Sequence, residues 1–306
     1  MAADVRPAAA PQESPANGTG RRALGARRRP STSRIIIVAA LTLAALYFLI
    51  PAYWLAVAAT KSLGGLYGSF GLWFSEPQLW ANLTALFTHD GGVFLRWSAN
   101  TLLYAGVGSV VATLLAASTG YVLAKFEFRG RDTVFNVVLA GVLLPGTALA
   151  LPSFMLFTEL GLSNTVWAIL LPSMVSPFGV YLCRIYAAAA VPDALIEAAR
   201  VDGAGEIRIF ATIALRIMTP ALVTVLLFQF VSIWNNFFLP LVMLSDDRLY
   251  PITLGLVTLN SISERVPETV GLVVTGSFVA VVPLAVMMIV LQRFWRTGLT
   301  EGGVKS

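Results

Sequence analysis

The chain has 306 residues, of which 57% are hydrophobic and 12% charged, with a formal net charge of +5. A soluble globular domain carries about 25% charged residues, so this composition excludes an ordinary soluble enzyme and indicates a membrane protein. One cysteine (Cys183) excludes an internal disulfide, and one histidine (His89) gives no basis for an imidazole metal site.

Residues 1–34 are rich in Ala, Pro, Ser, Gly and Arg and lack apolar periodicity, so they read as a disordered arm. The cluster Arg27-Arg28-Arg29 with Arg34 reads first as a topology signal, with membrane lipid of anionic type as the alternative partner. No aromatics are interleaved with these arginines, which argues against nucleic acid.

A bilayer crossing needs about 20 apolar residues. Six runs meet that length: Ile35–Thr60, Ser98–Ala124, Val134–Thr158, Thr165–Tyr186, Ile217–Leu244 and Val270–Leu291. They predict an all-α membrane protein with six transmembrane helices. The first run is long, lies far from the N-terminus and is followed by no A-x-A site, so it reads as a retained helix. With a cytoplasmic N-terminus, seventeen of the 21 Lys and Arg residues fall inside and four outside. That bias puts both termini, and residues 191–216, in the cytoplasm of a multi-pass membrane protein. The organisation is then an arm (1–34), a first span with an outer loop (35–97), a core (98–292) and a cytoplasmic tail (293–306).

The outer loop carries Tyr67, Phe70, Trp73, Phe74, Trp80 and Phe87, which suit an aromatic belt. The short segment Glu159–Asn164 makes the third and fourth spans a tight hairpin. Pro145, Pro152, Pro172, Pro177, Pro220, Pro240 and Pro283 kink the spans. Ala116-x-x-x-Gly120 offers a small-residue face for close helix packing.

No Asp, Glu, Lys, Arg or His lies at the centre of any span, which weakens a proton-coupled carrier. The fifth span instead carries Gln229, Trp234, Asn235 and Asn236. An indole beside amides suits a sugar in a translocation path. The same amides suit helix–helix hydrogen bonds or caps, and the residues alone do not decide. No G-x-x-x-x-G-K-[ST] loop occurs, so any ATP must be bound by another polypeptide. No nucleophile–base pair is visible, and the chain does not read as an enzyme.

Between the fourth and fifth spans lies a charged, glycine-broken segment, Glu197-Ala198-Ala199-Arg200-Val201-Asp202-Gly203-Ala204-Gly205-Glu206. Pro192 suits a first helical turn, and Asp193 the positive end of the helix dipole. Leu195, Ala198, Ala199 and Asp202 follow an i, i+3, i+4, i+7 pattern, predicting one flat face. Glu197 is placed to pair with Arg200 or with a basic residue on a partner. Gly203 stands where a left-handed C-cap belongs, Gly205 adds a second hinge, and a second short helix starts near Glu206.

The run Glu197-Ala198-Ala199, three residues, Gly203, nine residues, Ile213-x-Leu215 resembles the EAA loop of ABC-importer permeases. Arg216 departs from that pattern, which has proline there, and Pro220 is the residue expected to supply the bend. The stretch Gly120–Arg131, Leu160–Thr165 with Pro177-Phe178-Gly179, and Trp234-Asn235-Asn236-Phe237 resemble segments of carbohydrate permeases. The tail Gly298–Lys305 is similar to that of the maltose-type, MalG-like subunit. The resemblance covers about residues 35–306.

It implies an ABC importer permease fold in which cytoplasmic EAA coupling helices dock on an ATPase, with Glu197, Ala198, Ala199, Asp202, Gly203 and Gly205 as coupling residues. Gly298, Glu301 and Gly302 would face the ATPase dimer. The implied partners are a second permease subunit forming a heterodimer, two ATP-binding subunits that carry ATP and Mg, and an extracytoplasmic solute-binding protein. The implied solute is a sugar or oligosaccharide. A polyol phosphate such as glycerol 3-phosphate is the alternative within the branch, and an ion-coupled carrier or a non-transporting scaffold lies outside it.

Overall fold

A computed structural model describes residues 32–301, with side chains described through Gln292. The chain divides into two units, residues 1–50 and 51–306. In the first, Thr32–Ile50 is a single apolar helix with every side chain exposed. Residues 1–31, most of the expected arm, lie outside the described residues.

The helix beginning at Thr32 (α1, Thr32–Ala59) ends in the second unit, which continues as α2 (Leu63–Gly68), α3 (Leu79–Thr88), α4 (Val93–Lys125), α5 (Arg131–Leu143) and α6 (Ala150–Glu159). Next come α7 (Val166–Ser173), α8 (Pro177–Ala190), α9 (Asp193–Val201) and α10 (Glu206–Ile209). The chain closes with α11 (Leu215–Ile217), α12 (Thr219–Trp234), α13 (Phe238–Met243), α14 (Ile252–Ser261) and α15 (Thr269–Glu301). No strand occurs among the described residues.

Among the described residues four stretches are long and apolar enough to cross a membrane: Thr32–Ala59, Val93–Lys125, Val166–Ala190 and Thr269–Gln292. A fifth arises if Glu206–Ile217 and Thr219–Trp234, bent by 80°, count as one. The continuous third span expected over Val134–Thr158 is instead two helices, α5 and α6, separated by residues 144–149. Pro145 explains the break: it lacks an N–H for the Gly141 carbonyl, and its ring disfavours helix at Leu144. The expected fifth span is also interrupted, by residues 235–237 between α12 and α13. The expected tail begins inside α15, which remains helical to Glu301.

The long helix α4 packs against α7, α8 and α12. Small residues permit its contact with α8. A Cβ at Gly120 would lie 2.6 Å from Cys183 Cβ and 2.7 Å from the Arg184 backbone nitrogen. The stripe read as Ala116-x-x-x-Gly120 therefore seats α8 directly on the α4 backbone.

Two apolar clusters result. One includes Phe94, Trp97, Tyr104, Ile169, Trp234, Met243 and Ile252. It is tied to the 247–250 turn by Trp97 Nε1, which donates to the Asp247 carbonyl (2.9 Å), and by Tyr104 Oη, which donates to that of Leu249 (2.9 Å). The other includes Ala116, Tyr121, Cys183, Ala187, Ile196, Ile209, Met218 and Val225, and it supports the glycine-broken segment. In the outer loop Tyr67, Phe70, Trp73, Phe74 and Trp80 are exposed, whereas Phe87 packs on the first cluster.

Candidate functional site

The segment after α8 folds as two short helices joined by a tight elbow. Pro192 supplies the N-cap position and Asp193 the first helical residue of α9. Lys125, at the end of α4, fixes that start. Its ammonium donates to the Val191 carbonyl (2.6 Å) and to Asp193 Oδ1 (2.7 Å), with only 5% of the lysine side chain exposed. Nothing in the local sequence pattern marks this lysine, because its partners lie 66 and 68 residues away.

At its other end α9 closes in a Schellman motif. Gly203 has φ +80°, the Ala204 N–H donates to the Ala199 carbonyl (3.0 Å), and the Gly203 N–H donates to that of Arg200 (3.0 Å). Gly203 is thus the left-handed cap the sequence predicts. Gly205 is different. Its φ of −73° and ψ of 157° are open to any residue, and it precedes α10 as an N-cap rather than acting as a second left-handed hinge.

Arg200 does not pair with Glu197 as expected. It reaches across the elbow to Glu206, with Nε at 2.7 Å from Oε1 and Nη2 at 3.2 Å from Oε2. The α9 geometry leaves Glu197 outside while the Schellman turn brings α10 back toward Arg200. The hydrogen bond from Arg200 holds the Glu206 carboxyl below its ordinary value, and the same bond raises the guanidinium. Beneath the pair, Tyr121 packs against Phe126 (5.9 Å) and Phe210 (5.2 Å). Tyr121 Oη is buried without a hydrogen-bond partner.

The flat face expected from Leu195, Ala198, Ala199 and Asp202 is corrected in one respect. Ile196 is buried and Ala199 is half-buried on the second cluster, so Ala199 faces inward. Ala194, Ala198 and Val201 form the outward ridge at i, i+4 and i+7, with Glu197 beside it and all four exposed. Val201 is 88% exposed and Ile207 85% exposed. Sequence reasoning missed both as surface residues, although a β-branched apolar residue on a charged loop is a readable signal.

After α10 the helix runs on through a π-helical segment, Phe210–Ala214, and a break at Met218 then turns the chain by 80° into α12. Pro220 sits in the first turn of α12, and Arg216 is exposed. The bend thus forms without proline at position 216.

The proposed lining residues of α12 separate into different roles. Gln229 Nε2 donates to the Ser173 carbonyl (2.9 Å), the group that Pro177 cannot bond. Trp234 is 2% exposed and stacks on Phe230 at 5.4 Å, so its ring faces are taken by packing rather than presented to a solute. Asn235 folds back on its own helix, with Nδ2 donating to the Val231 carbonyl (2.9 Å). Asn236 Oδ1 accepts the Leu239 N–H (3.2 Å), and its carbonyl accepts the Thr253 hydroxyl (3.0 Å). Asn236 lines an open cavity of about 570 Å³. In the tail, Gly298 and Glu301 fall within α15, and Gly302 lies outside the described residues.

Residues 109–296 match the family described as "Binding-protein-dependent transport system inner membrane component". The chain belongs to this family. The match takes in α12, the C-terminal half of α4 and the whole elbow. Among relatives, the arabinooligosaccharides transport system permease protein AraQ of Halalkalibacterium halodurans is 36% identical over 74% of this chain and 79% of its own. The lactose transport system permease protein LacG of Rhizobium radiobacter is 31% identical over 77% and 83%. In fold, the chain resembles a solved bacterial ABC transporter involved in import of the acidic polysaccharide alginate. The TM-score is 0.74 at 23% identity, covering 85% of this chain and 95% of that one. The all-helical permease architecture of the binding-protein-dependent family is therefore the architecture of this chain.

Proposed function

We propose that this permease is the transmembrane subunit of an ATP-driven importer of sugars or oligosaccharides, working by alternating access. The observation that carries the reading is the elbow, whose Ala194, Ala198 and Val201 on α9 and Ile207 on α10 the fold leaves unburied. Two large apolar side chains at 85% exposure or more suit a protein surface rather than water. The chain has no phosphate-binding loop of its own, so energy enters through a docked ATPase.

The fold gives such a docked subunit a short path to the spans. Lys125 joins the start of α9 to α4, and Ile196 and Ile209 sit in one cluster with Cys183 and Val225 of α8 and α12. A push on the elbow therefore reaches three long helices through packed contacts. With the elbow in the cytoplasm, ATPase closure would move these helices between inward-open and outward-open arrangements. A second permease subunit, two ATPases and an external binding protein complete the assembly, and the chain itself performs no bond chemistry.

A saccharide is the solute class favoured by the relatives' named substrates, arabinooligosaccharides and lactose. The cavity beside Asn236 is lined by no cationic side chain, which counts against a phosphate-bearing polyol. The test is uptake of radiolabelled lactose and arabinotriose by cells expressing the complete assembly. ATP-dependent uptake of either supports the reading. Uptake that survives ATP depletion but stops with a protonophore would replace it with an ion-coupled carrier.

A further inference from the structure

The last turn of α4 offers the elbow two polar groups on one face, at i and i+4. Lys125 uses its own: the ammonium bonds the Val191 carbonyl and Asp193 and so pins the start of α9. Tyr121, one turn earlier, does not. Its side chain is 2% exposed, and its hydroxyl is buried without a hydrogen-bond partner. Phenylalanine would fill nearly the same space without burying an unsatisfied polar group, so packing alone gives no reason for the hydroxyl.

The ring is held in place by its neighbours. Phe126 meets it edge-on at 5.9 Å and Phe210 at 5.2 Å, and the Arg200 guanidinium lies 5.9 Å from the Phe126 ring. Three charged groups of the elbow act on the hydroxyl: Glu206 of α10 most, then Arg200 of α9, then Asp193 at the α9 start. Asp193 is taken by Lys125. Arg200 has donors only and gives two of them to Glu206. A carboxylate has about four lone-pair sites, so Glu206 keeps the capacity to accept one more bond.

Two features let the elbow change its position over Tyr121. The Arg200–Glu206 pair is open to water, with 43% and 45% of the two side chains exposed, and such a pair holds weakly. Phe210, which packs on Tyr121, opens the π-helical segment Phe210–Ala214. A π segment is a local insertion in a helix and is found mostly at functional sites. Its return to α-helical register moves α10, and Glu206 with it, relative to α4 and α12.

We infer that Tyr121 is a positioning residue for energy coupling: its hydroxyl, unpaired in this arrangement, donates to the Glu206 carboxylate when ATPase closure moves the elbow. The inference rests on the importer reading above. The new bond ties α10 to α4, as Lys125 and Asp193 already tie α9 to it. The unpaired hydroxyl disfavours the present arrangement and the bond favours the other, so one side chain biases the equilibrium from both sides.

The test uses the complete assembly in nanodiscs with its binding protein and millimolar lactose or arabinotriose. Wild type, Tyr121→Phe, Glu206→Ala and the double variant are compared. Melting temperature is read without nucleotide and after trapping with ATP and orthovanadate, and saccharide-stimulated ATP hydrolysis is read alongside. Without nucleotide, Tyr121→Phe melts at or above the wild type. Trapping raises its melting temperature less than it raises the wild type's, and stimulated hydrolysis falls at least tenfold, the worth of one hydrogen bond to a charged acceptor. Glu206→Ala, at an exposed position, also shrinks the gain on trapping. The double variant loses less than the product of the two single losses, because both remove the same bond. Wild-type stimulation in Tyr121→Phe overturns the inference and leaves the importer reading standing. An equal drop in melting temperature with and without nucleotide also overturns it, since a hydroxyl that only supports packing acts on both states. Independent losses in the double variant do the same. A wild-type assembly that takes up neither saccharide and whose hydrolysis responds to neither overturns both readings.

Discussion

Replacing Gly203 isolates backbone conformation from space. Its φ is +80°, and a Cβ built there meets nothing within 4 Å. Any loss on substitution is therefore the cost of the left-handed region itself, about 1–2 kcal/mol for an ordinary L-residue. That lowers the ratio of closed to open elbow by a factor of roughly 5 to 30. Asn tolerates this region and costs least, Ala costs the ordinary amount, and β-branched Val costs more. Gly205, with φ −73° and open space around it, is the internal control: Gly205→Ala carries no left-handed strain and loses only the weaker N-cap preference for glycine at the start of the short α10. The assay is amide hydrogen exchange at Ala204, whose N–H bonds the Ala199 carbonyl. Protection falls in the order Gly, Asn, Ala, Val, and ATP-coupled uptake falls in the same order while insertion is unchanged. Equal protection across the series, or loss at Gly205→Ala as large as at Gly203→Ala, would refute the reasoning.

Four other substitutions bear on the same account. Ile207→Asp replaces an exposed apolar residue on the elbow and leaves stability unaltered, but it weakens co-purification of the ATPase at least tenfold, matching the loss of one buried side chain of about 1.5–3 kcal/mol. Gly120→Val drives a side chain into the α8 backbone and destabilises the protein by about 3 kcal/mol, read as a fall in melting temperature in detergent. Tyr121→Phe removes a buried hydroxyl that has no partner, so thermal stability is kept or raised. The Arg200–Glu206 pair is sensitive to acid: because the Glu206 carboxyl is held below its ordinary 4.5, its contribution is full above that pH and is lost as pH falls through the lowered value. Elbow exchange protection should show this loss below pH 4.5 in the wild type and lose that pH dependence in Glu206→Gln.

Local signals were readable where local chemistry controls structure. The Gly203 cap, the α9 start beside Pro192 and Asp193, and the second helix at Glu206 each follow from caps and backbone preferences within a few residues. The Ala116–Gly120 stripe was legible because small residues at i and i+4 have few other uses in a span. What was not legible depends on distant partners. Arg200 chose Glu206 over Glu197 because the Schellman turn folds α10 back, which no helical spacing rule contains. Trp234 looked like a solute platform beside its amides, but Phe230 and the first cluster cover it. The break in the third span was signalled by Pro145, yet a proline alone reads equally as a kink.

The claim that energy enters this permease through the elbow is tested most directly by saccharide-stimulated ATP hydrolysis. The assembly is reconstituted in vesicles with its ATPase and binding protein, using wild type and Ile207→Asp side by side. The account predicts that saccharide-loaded binding protein stimulates hydrolysis in the wild type and that the variant loses the stimulation while remaining folded in the membrane. Hydrolysis indifferent to saccharide in the wild type, or equal stimulation in the variant, would contradict it.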